Sequence, residues 1–303
     1  MAAAAKSVVV TGASTGIGAA CALHLDTLGF RVFAGVRKQA DAETLKSQAS
    51  PRLVPVSLDV TDTLSIATAA AAVLGVVGPA GLDGLVNNAG IVVPGPLEFL
   101  PLDELRRQLE INVVGQVAVT QAFLPQLRAG RGRIVNMGSI SGRMATPFAG
   151  AYAASKFALE ALTDALRLEL APWGISVSII EPGAVATPIW EKTTRIAQAM
   201  LAAIPPEAFV LYGPALAAVR KSAEQAERHA VAPEEVAKAV THALTASKPR
   251  TRYVIGRTAK IQAALSFFVP DRMRDGMVAK AMHLPTEASS APPKAGEGAW
   301  DPR

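Results

Sequence analysis

The chain has 303 residues, half of them apolar, with 30 Lys and Arg against 25 Asp and Glu and a formal net charge of +5. That is enough apolar side chain for a sizeable core, and with no block of like charge along the chain a nucleic-acid-binding patch is not indicated. Cys21 is the only cysteine, which excludes an intramolecular disulfide and points to a reducing compartment, and the four histidines have no metal-ligand spacing.

The first residues, MAAAAKSVVVTG, lack the positive n-region and long apolar run of a signal peptide. SVVVTG (7–12) reads as a strand, and STGIGAACALHLDTLG as a helix closed by Gly29. RVFAGV (31–36) and LVPVSLDV (53–60) read as the second and third strands. Residues 63–82 carry no charge, a length that raises the transmembrane question. The stretch is mostly alanine with Gly75, Gly78 and Pro79 inside it, which predicts a buried helix followed by a turn. DGLVNNAG (83–90), GRIVNMGS (132–139), ISVSIIEPG (175–183) and RYVIG (252–256) complete seven strands, with helical patterns at 103–128 and 152–171.

Residues 187–232 break this rhythm and read as an inserted helical lid. Residues 261–285 mix apolar and basic side chains. Packing on their own domain, a membrane-surface contact, an oligomer contact and a lid extension all fit that mixture. From 286 onward the chain is rich in Pro, Gly, Ser and Ala and is expected to be disordered. Apolar strands separated by helices predict an α/β fold. It is a doubly wound parallel sheet of about seven strands with helices on both faces, in one domain over 1–285.

The first strand runs into TGASTGIG, where Gly12, Gly16 and Gly18 permit close approach of a phosphate. Ser14, Thr15 and Ile17 share the loop, and the helix behind it aims its positive end at the loop mouth, a pyrophosphate site. The spacing is G-x-x-x-G-x-G, not G-x-G-x-x-G. After the second strand Arg37 and Lys38 stand where an acidic residue would favour NAD, so a 2′-phosphate and NADP(H) are expected.

Tyr152 and Lys156 in YAASK stand four apart, on one face of a helix. A neighbouring ammonium favours the phenolate, so Lys156 is expected to lower the Tyr152 pKa and make a usable acid/base.

TGASTGIG (11–18), NNAG (87–90), GSISG (138–142), YAASK (152–156) and PGAVAT (182–187), in that order, resemble the short-chain dehydrogenase/reductase family over roughly residues 6–260. The resemblance implies a Rossmann-type fold and a tetrad. Tyr152 is the acid/base, Lys156 tunes it and bonds the nicotinamide ribose, Ser139 holds the substrate oxygen, and Asn112 holds a water for proton relay. It further implies that Asp59 and Val60 meet the adenine and that Asn88, Ala89 and Gly90 line the cofactor. Pro182, Gly183, Val185 and Thr187 pass the nicotinamide. Met144, Phe148, Val185, Ile189 and Trp190 would wall an apolar substrate pocket.

The leading expectation is an NADP(H)-preferring oxidoreductase, with NAD(H) possible, acting on a lipophilic alcohol or carbonyl of retinoid, steroid or long-chain type. No metal is needed. A 3-oxoacyl-thioester reductase and a non-catalytic dinucleotide sensor stand as alternatives. A homodimer or homotetramer in the cytoplasm, with peripheral membrane contact through 261–285, completes the expectation.

Overall fold

Seven short runs of Val, Ile and Leu form the strands of this computed structural model, which describes residues 5–203 and 205–285. They are β1 (Ser7–Val10), β2 (Arg31–Val36), β3 (Leu53–Ser57), β4 (Gly84–Asn87), β5 (Arg133–Met137), β6 (Ser176–Pro182) and β7 (Arg252–Ile255). All pairings are parallel, in the order β3-β2-β1-β4-β5-β6-β7. Pro55 sits in β3, an edge strand, where its missing N–H is tolerated.

Successive side chains on a strand point to opposite faces, so the sheet needs cover on both. Val8, Val10 and Val135 join a core with helices α1 (Gly16–Thr27), α2 (Gln39–Gln48) and α9 (Pro233–Thr245). Val9, Phe33 and Ile134 join the opposite core with α3 (Thr63–Val77), α5 (Gly115–Gly130) and α6 (Gly150–Leu170). Cys21 is buried in the first core, and burial pushes its thiol up to about 12, which leaves it unreactive. A polar thread fixes α5 and α6 on the sheet. The Asn87 amide donates to Thr120 Oγ1 (2.8 Å) and Asn136 Oδ1 (3.0 Å), and Asn136 donates to Thr163 Oγ1 (2.9 Å).

The helix expected over 103–128 runs without interruption as α4 (Leu102–Leu109), a π-turn over Glu110–Val114, and α5. Gly115 N–H reaches back five residues to the Glu110 carbonyl. The cause is Asn112, whose amide bonds the backbone of Ile91 and so anchors the turn to a neighbouring loop. The alanine-rich helix α3 is only half buried. Ile66, Ala69, Ala70 and Val73 face the core, while Leu64, Leu74 and Val76 face outward. Among the described residues it is the one helix with the length and composition to cross a membrane.

The lid comprises α7 (Ile189–Ala203) and α8 (Pro206–Arg228), and the mixed apolar and basic stretch 261–285 holds most of α10 (Arg257–Phe268) and α11 (Asp271–Ala281). The tail from 286 on lies outside the described residues. Since β1 leads through α1 to β2 on one side and β4 lies on the other, the strand order reverses between β1 and β4. A crevice opens there at the carboxyl ends of the strands.

Candidate active site

The glycine loop closes over β4 by direct backbone contact. Asn88 donates its side-chain amide to the carbonyls of Thr11 (2.9 Å) and Gly12 (3.1 Å), and the Thr11 hydroxyl accepts the N–H groups of Asn88 and Ala89. Two glycines are required by this closeness. Gly12 has φ +62° with Ala89 Cα only 2.8 Å from where a Cβ would stand, and a Cβ on Gly18 would lie 2.2 Å from the Gly12 carbonyl oxygen. Thr15 precedes α1 in an extended conformation but does not cap it, and no acidic residue occupies the first turn. The first N–H groups of α1 are thus open toward the crevice, which fits a pyrophosphate.

Arg37 reaches Asp59 across this crevice, Nη1 to Oδ2 at 3.8 Å, with both side chains open to solvent. Burial works against the Asp59 carboxylate, but hydrogen bonds from Thr61 and the Arg37 charge outweigh it and hold the group below its ordinary range. A guanidinium held this loosely is free to meet an anion.

Beyond the loop, Ser139 ends β5 and opens a short 3₁₀ turn, Ile140–Gly142, with its Oγ accepting from Ser141 N–H at 3.1 Å. The Tyr152 phenol, on α6, lies close enough to Ser139 for that side chain to act on its protonation. Lys156 is buried one turn further on and donates to the Met137 carbonyl at 2.7 Å. Lys156 Nζ lies over the Tyr152 ring, 5.6 Å from its centre. Burial pushes the phenol above its ordinary value, and the Ser139 side chain is what opposes that. Burial likewise pushes Lys156 down to about 8, with the Glu160 charge opposing.

Asn112 is fully buried and does not line the crevice. Its Oδ1 accepts from Ile91 N–H (2.9 Å), and its amide donates to Ile91 O (3.0 Å) and Ser155 Oγ (3.1 Å). Both amide hydrogens are committed to structure, so Asn112 ties the π-turn to α6 beside Lys156.

These groups share one cavity of about 1550 Å³, more than the roughly 300–1,000 Å³ of an ordinary ligand pocket. The expected cofactor residues from Gly12 through Thr187, Pro182 and Gly183 included, all line it. Phe148, Ile189 and Trp190 line its outer part as expected, but Met144 does not. It is buried just after the turn that follows Ser139, its N–H bonded to the Ile140 carbonyl at 3.1 Å. Ile91 and Phe99, from the segment after β4, are wall residues that sequence reasoning missed, and Met200 and Phe209 of the lid helices join them.

The lid is latched. Tyr212 on α8 donates to Glu98 at 2.7 Å and meets Phe99 and Phe148 edge-on, with ring centres 6.1 and 5.8 Å apart. Phe148 adopts φ +61°, and its carbonyl accepts Gly95 N–H at 2.8 Å, which holds this strained conformation. Lys192, also unforeseen, reaches down from α7 to donate to Thr15 Oγ1 at 3.0 Å, at the open end of α1.

Residues 6–197 match the family model described as short chain dehydrogenase. Mouse retinol dehydrogenase 5 is 38% identical over 289 residues, which cover 93% of this chain and 91% of that protein. The NADPH-dependent 3-dehydrocapnine reductase of Ornithobacterium rhinotracheale is 35% identical, covering 93% and 99%. A short chain dehydrogenase from Burkholderia cenocepacia, solved in complex with NADP, superposes with a TM-score of 0.69 at 28% identity, covering 91% and 97%. With the glycine cradle, the Ser139–Tyr152–Lys156 constellation and a match over most of its length, the chain belongs to the short-chain dehydrogenase family and is a nicotinamide-dependent oxidoreductase.

Proposed function

We propose that the protein is an NADP(H)-preferring enzyme that interconverts a lipophilic alcohol and its ketone or aldehyde, of retinoid, steroid or long-chain type. The observation that carries this is that Ser139, Tyr152 and Lys156 line one apolar, lid-covered cavity that continues into the glycine cradle. The nicotinamide, when bound, supplies or takes the hydride. Ser139 orients the substrate oxygen, and the Tyr152 hydroxyl gives that oxygen its proton in reduction. A phenol held above its ordinary value is protonated at neutral pH, so it stands ready as an acid. Arg37 meets the 2′-phosphate, and Lys192 adds a cation at the pyrophosphate.

The test is consumption of NADPH and NADH against carbonyls from small aliphatics to steroids and retinal, with acyl thioesters alongside. NADPH turnover with a bulky apolar carbonyl is expected. Arg37→Ala weakens NADPH binding roughly 10–100-fold, the weight of a charged hydrogen bond, and leaves NADH binding nearly unchanged. Lys192→Ala weakens both cofactors alike. A wild-type preference for NADH would sink the Arg37 assignment. Turnover of acyl thioesters alone would replace the lipophilic substrate, and binding without turnover would favour a sensor.

The same reading includes peripheral membrane contact through α10 and α11. Phe267 and Phe268 are 79% and 78% exposed, with Ile261, Met273 and Met277 also outward. Arg257, Lys260, Arg272 and Lys280 are exposed among them. Apolar anchors with interleaved basic groups suit an anionic bilayer. The protein is expected to sediment with phosphatidylglycerol vesicles and a Phe267→Ser, Phe268→Ser variant to stay in solution. Equal recovery of both in the supernatant would rule the contact out.

A further inference from the structure

We propose that Glu160 is a positioning residue for Lys156: with Glu181 it forms a buried carboxylate pair, clamped by Arg143 and Arg252, that sets the charge behind the active-site lysine. This rests on the active-site assignment of Lys156 above.

Glu160 follows Lys156 by one turn of α6, on the same helix face. Gly142 allows the 3₁₀ turn after Ser139 to lie flat on that face. A Cβ there would stand 3.0 Å from the Lys156 carbonyl oxygen and 3.2 Å from Glu160 Cγ. The turn thereby delivers Arg143 to Glu181, Nη2 to Oε1 at 2.8 Å. From β7, Arg252 Nε lies 3.1 Å from Glu160 Oε2 and 3.5 Å from Glu181 Oε1, so the two carboxylates share one guanidinium nitrogen. Its other arm bonds Asp164 at 2.6 Å, and Asp164 is held in turn by Arg167 at 2.6 Å. The Glu181 side chain is wholly buried and that of Glu160 is 13% exposed. Glu160 Oε1 is buried without a hydrogen-bond partner.

The charged groups gathered here are Lys156, Glu160, Asp164 and Arg167 from α6, Arg143 from the turn, Glu181 from β6 and Arg252 from β7, with the Tyr152 phenol alongside. Three guanidiniums face three carboxylates, and Lys156 is the surplus cation. Two carboxylates on one guanidinium repel each other. Burial first, and then the Glu181 charge, push Glu160 up to about 7, against the pull of Arg252 and Arg143. Glu160 therefore exchanges a proton near neutrality, and the Lys156 ammonium is favoured when Glu160 is ionised. A buried ionic cluster is a poor source of stability, because desolvation offsets its attraction. Its position directly behind Lys156 gives it a use.

The experiment is Glu160→Gln, which keeps the shape and removes the charge. Two quantities are read from pH 6 to 10: kcat/KM, and NADPH affinity by fluorescence titration without substrate. Loss of a facing negative charge disfavours the ammonium, so the midpoint governed by Lys156 moves to lower pH by roughly one unit in both profiles. Glu160→Asp restores the wild-type midpoint. Asp164→Asn breaks the same network away from Lys156, so it lowers the melting temperature and leaves both midpoints in place. The proposal is overturned if Glu160→Gln leaves the midpoints unmoved, or if Asp164→Asn moves them as far. Wild-type cofactor binding by Lys156→Met at every pH would instead sink the underlying assignment of Lys156.

Discussion

Tyr152→Phe lowers kcat by roughly 10²–10⁴-fold and leaves NADPH affinity within about twofold of wild type. The substitution is surgical. The ring stays under Lys156 Nζ, the helix packing stays, and only the hydroxyl that Ser139 acts on is lost. Ser139 is not stranded, because its Oγ still accepts Ser141 N–H. Steady-state turnover and cofactor titration on the same preparation check both halves, and a Phe variant with wild-type kcat would remove Tyr152 from the chemistry. A companion change fixes the sign of the tuning. The Ser139 side chain is what lowers the phenol, so Ser139→Ala moves the pH midpoint of alcohol oxidation upward, where the base form is needed. A downward shift would mean that another group does the tuning.

Gly18→Ala abolishes useful dinucleotide binding, with affinity down more than roughly 100-fold, and destabilises the fold by about 1–3 kcal/mol as overpacking does. The added Cβ meets the Gly12 carbonyl oxygen at 2.2 Å and Asn88 Nδ2 at 2.4 Å, and neither can yield. One is the backbone of the cradle, and the other is the clamp that holds the cradle to β4. Gly29→Ala is the matched control. Gly29 has φ +86° but nothing within 4 Å of its would-be Cβ. It is expected to lower stability by about 1–2 kcal/mol through backbone strain alone, with NADPH affinity unchanged. Calorimetric binding and thermal melts separate the two, and equal affinity losses would mean that the cradle argument is wrong.

The coenzyme end of the site was legible in the residues because short range decides it. A strand, a glycine turn and a helix N-terminus are consecutive in the chain, and their geometry follows from local sterics and dipoles. Lys192 was not legible. Its spacing to Thr15 is 177 residues, and only the fold of the lid brings the two to 3.0 Å. The same holds for Met144, which a wall of apolar letters includes and the fold buries outside the cavity.

Asn112 and Lys156 mark a subtler divide. Spacing placed Tyr152 and Lys156 on one face, and the structure keeps them there, with Lys156 Nζ over the Tyr152 ring. The Lys156 stem ends at the Met137 carbonyl because a buried cation takes the nearest acceptor. Asn112 spends its amide on Ile91 and Ser155, and the helix widens there into a π-turn that its own segment does not announce.

By itself the sequence determined the seven parallel strands, the helices on both faces and the glycine cradle, and its resemblance to a family pointed to Ser139, Tyr152 and Lys156. The strands, helices and cradle depend on periodicity or on neighbours a few residues apart. Only the tertiary structure decided what those side chains touch, how the lid latches through Tyr212, and that Glu160, Glu181, Arg143 and Arg252 meet behind Lys156. Those contacts join α6, β6, β7 and the turn after β5, and a charge in a low-dielectric interior is governed by whichever groups the fold packs against it.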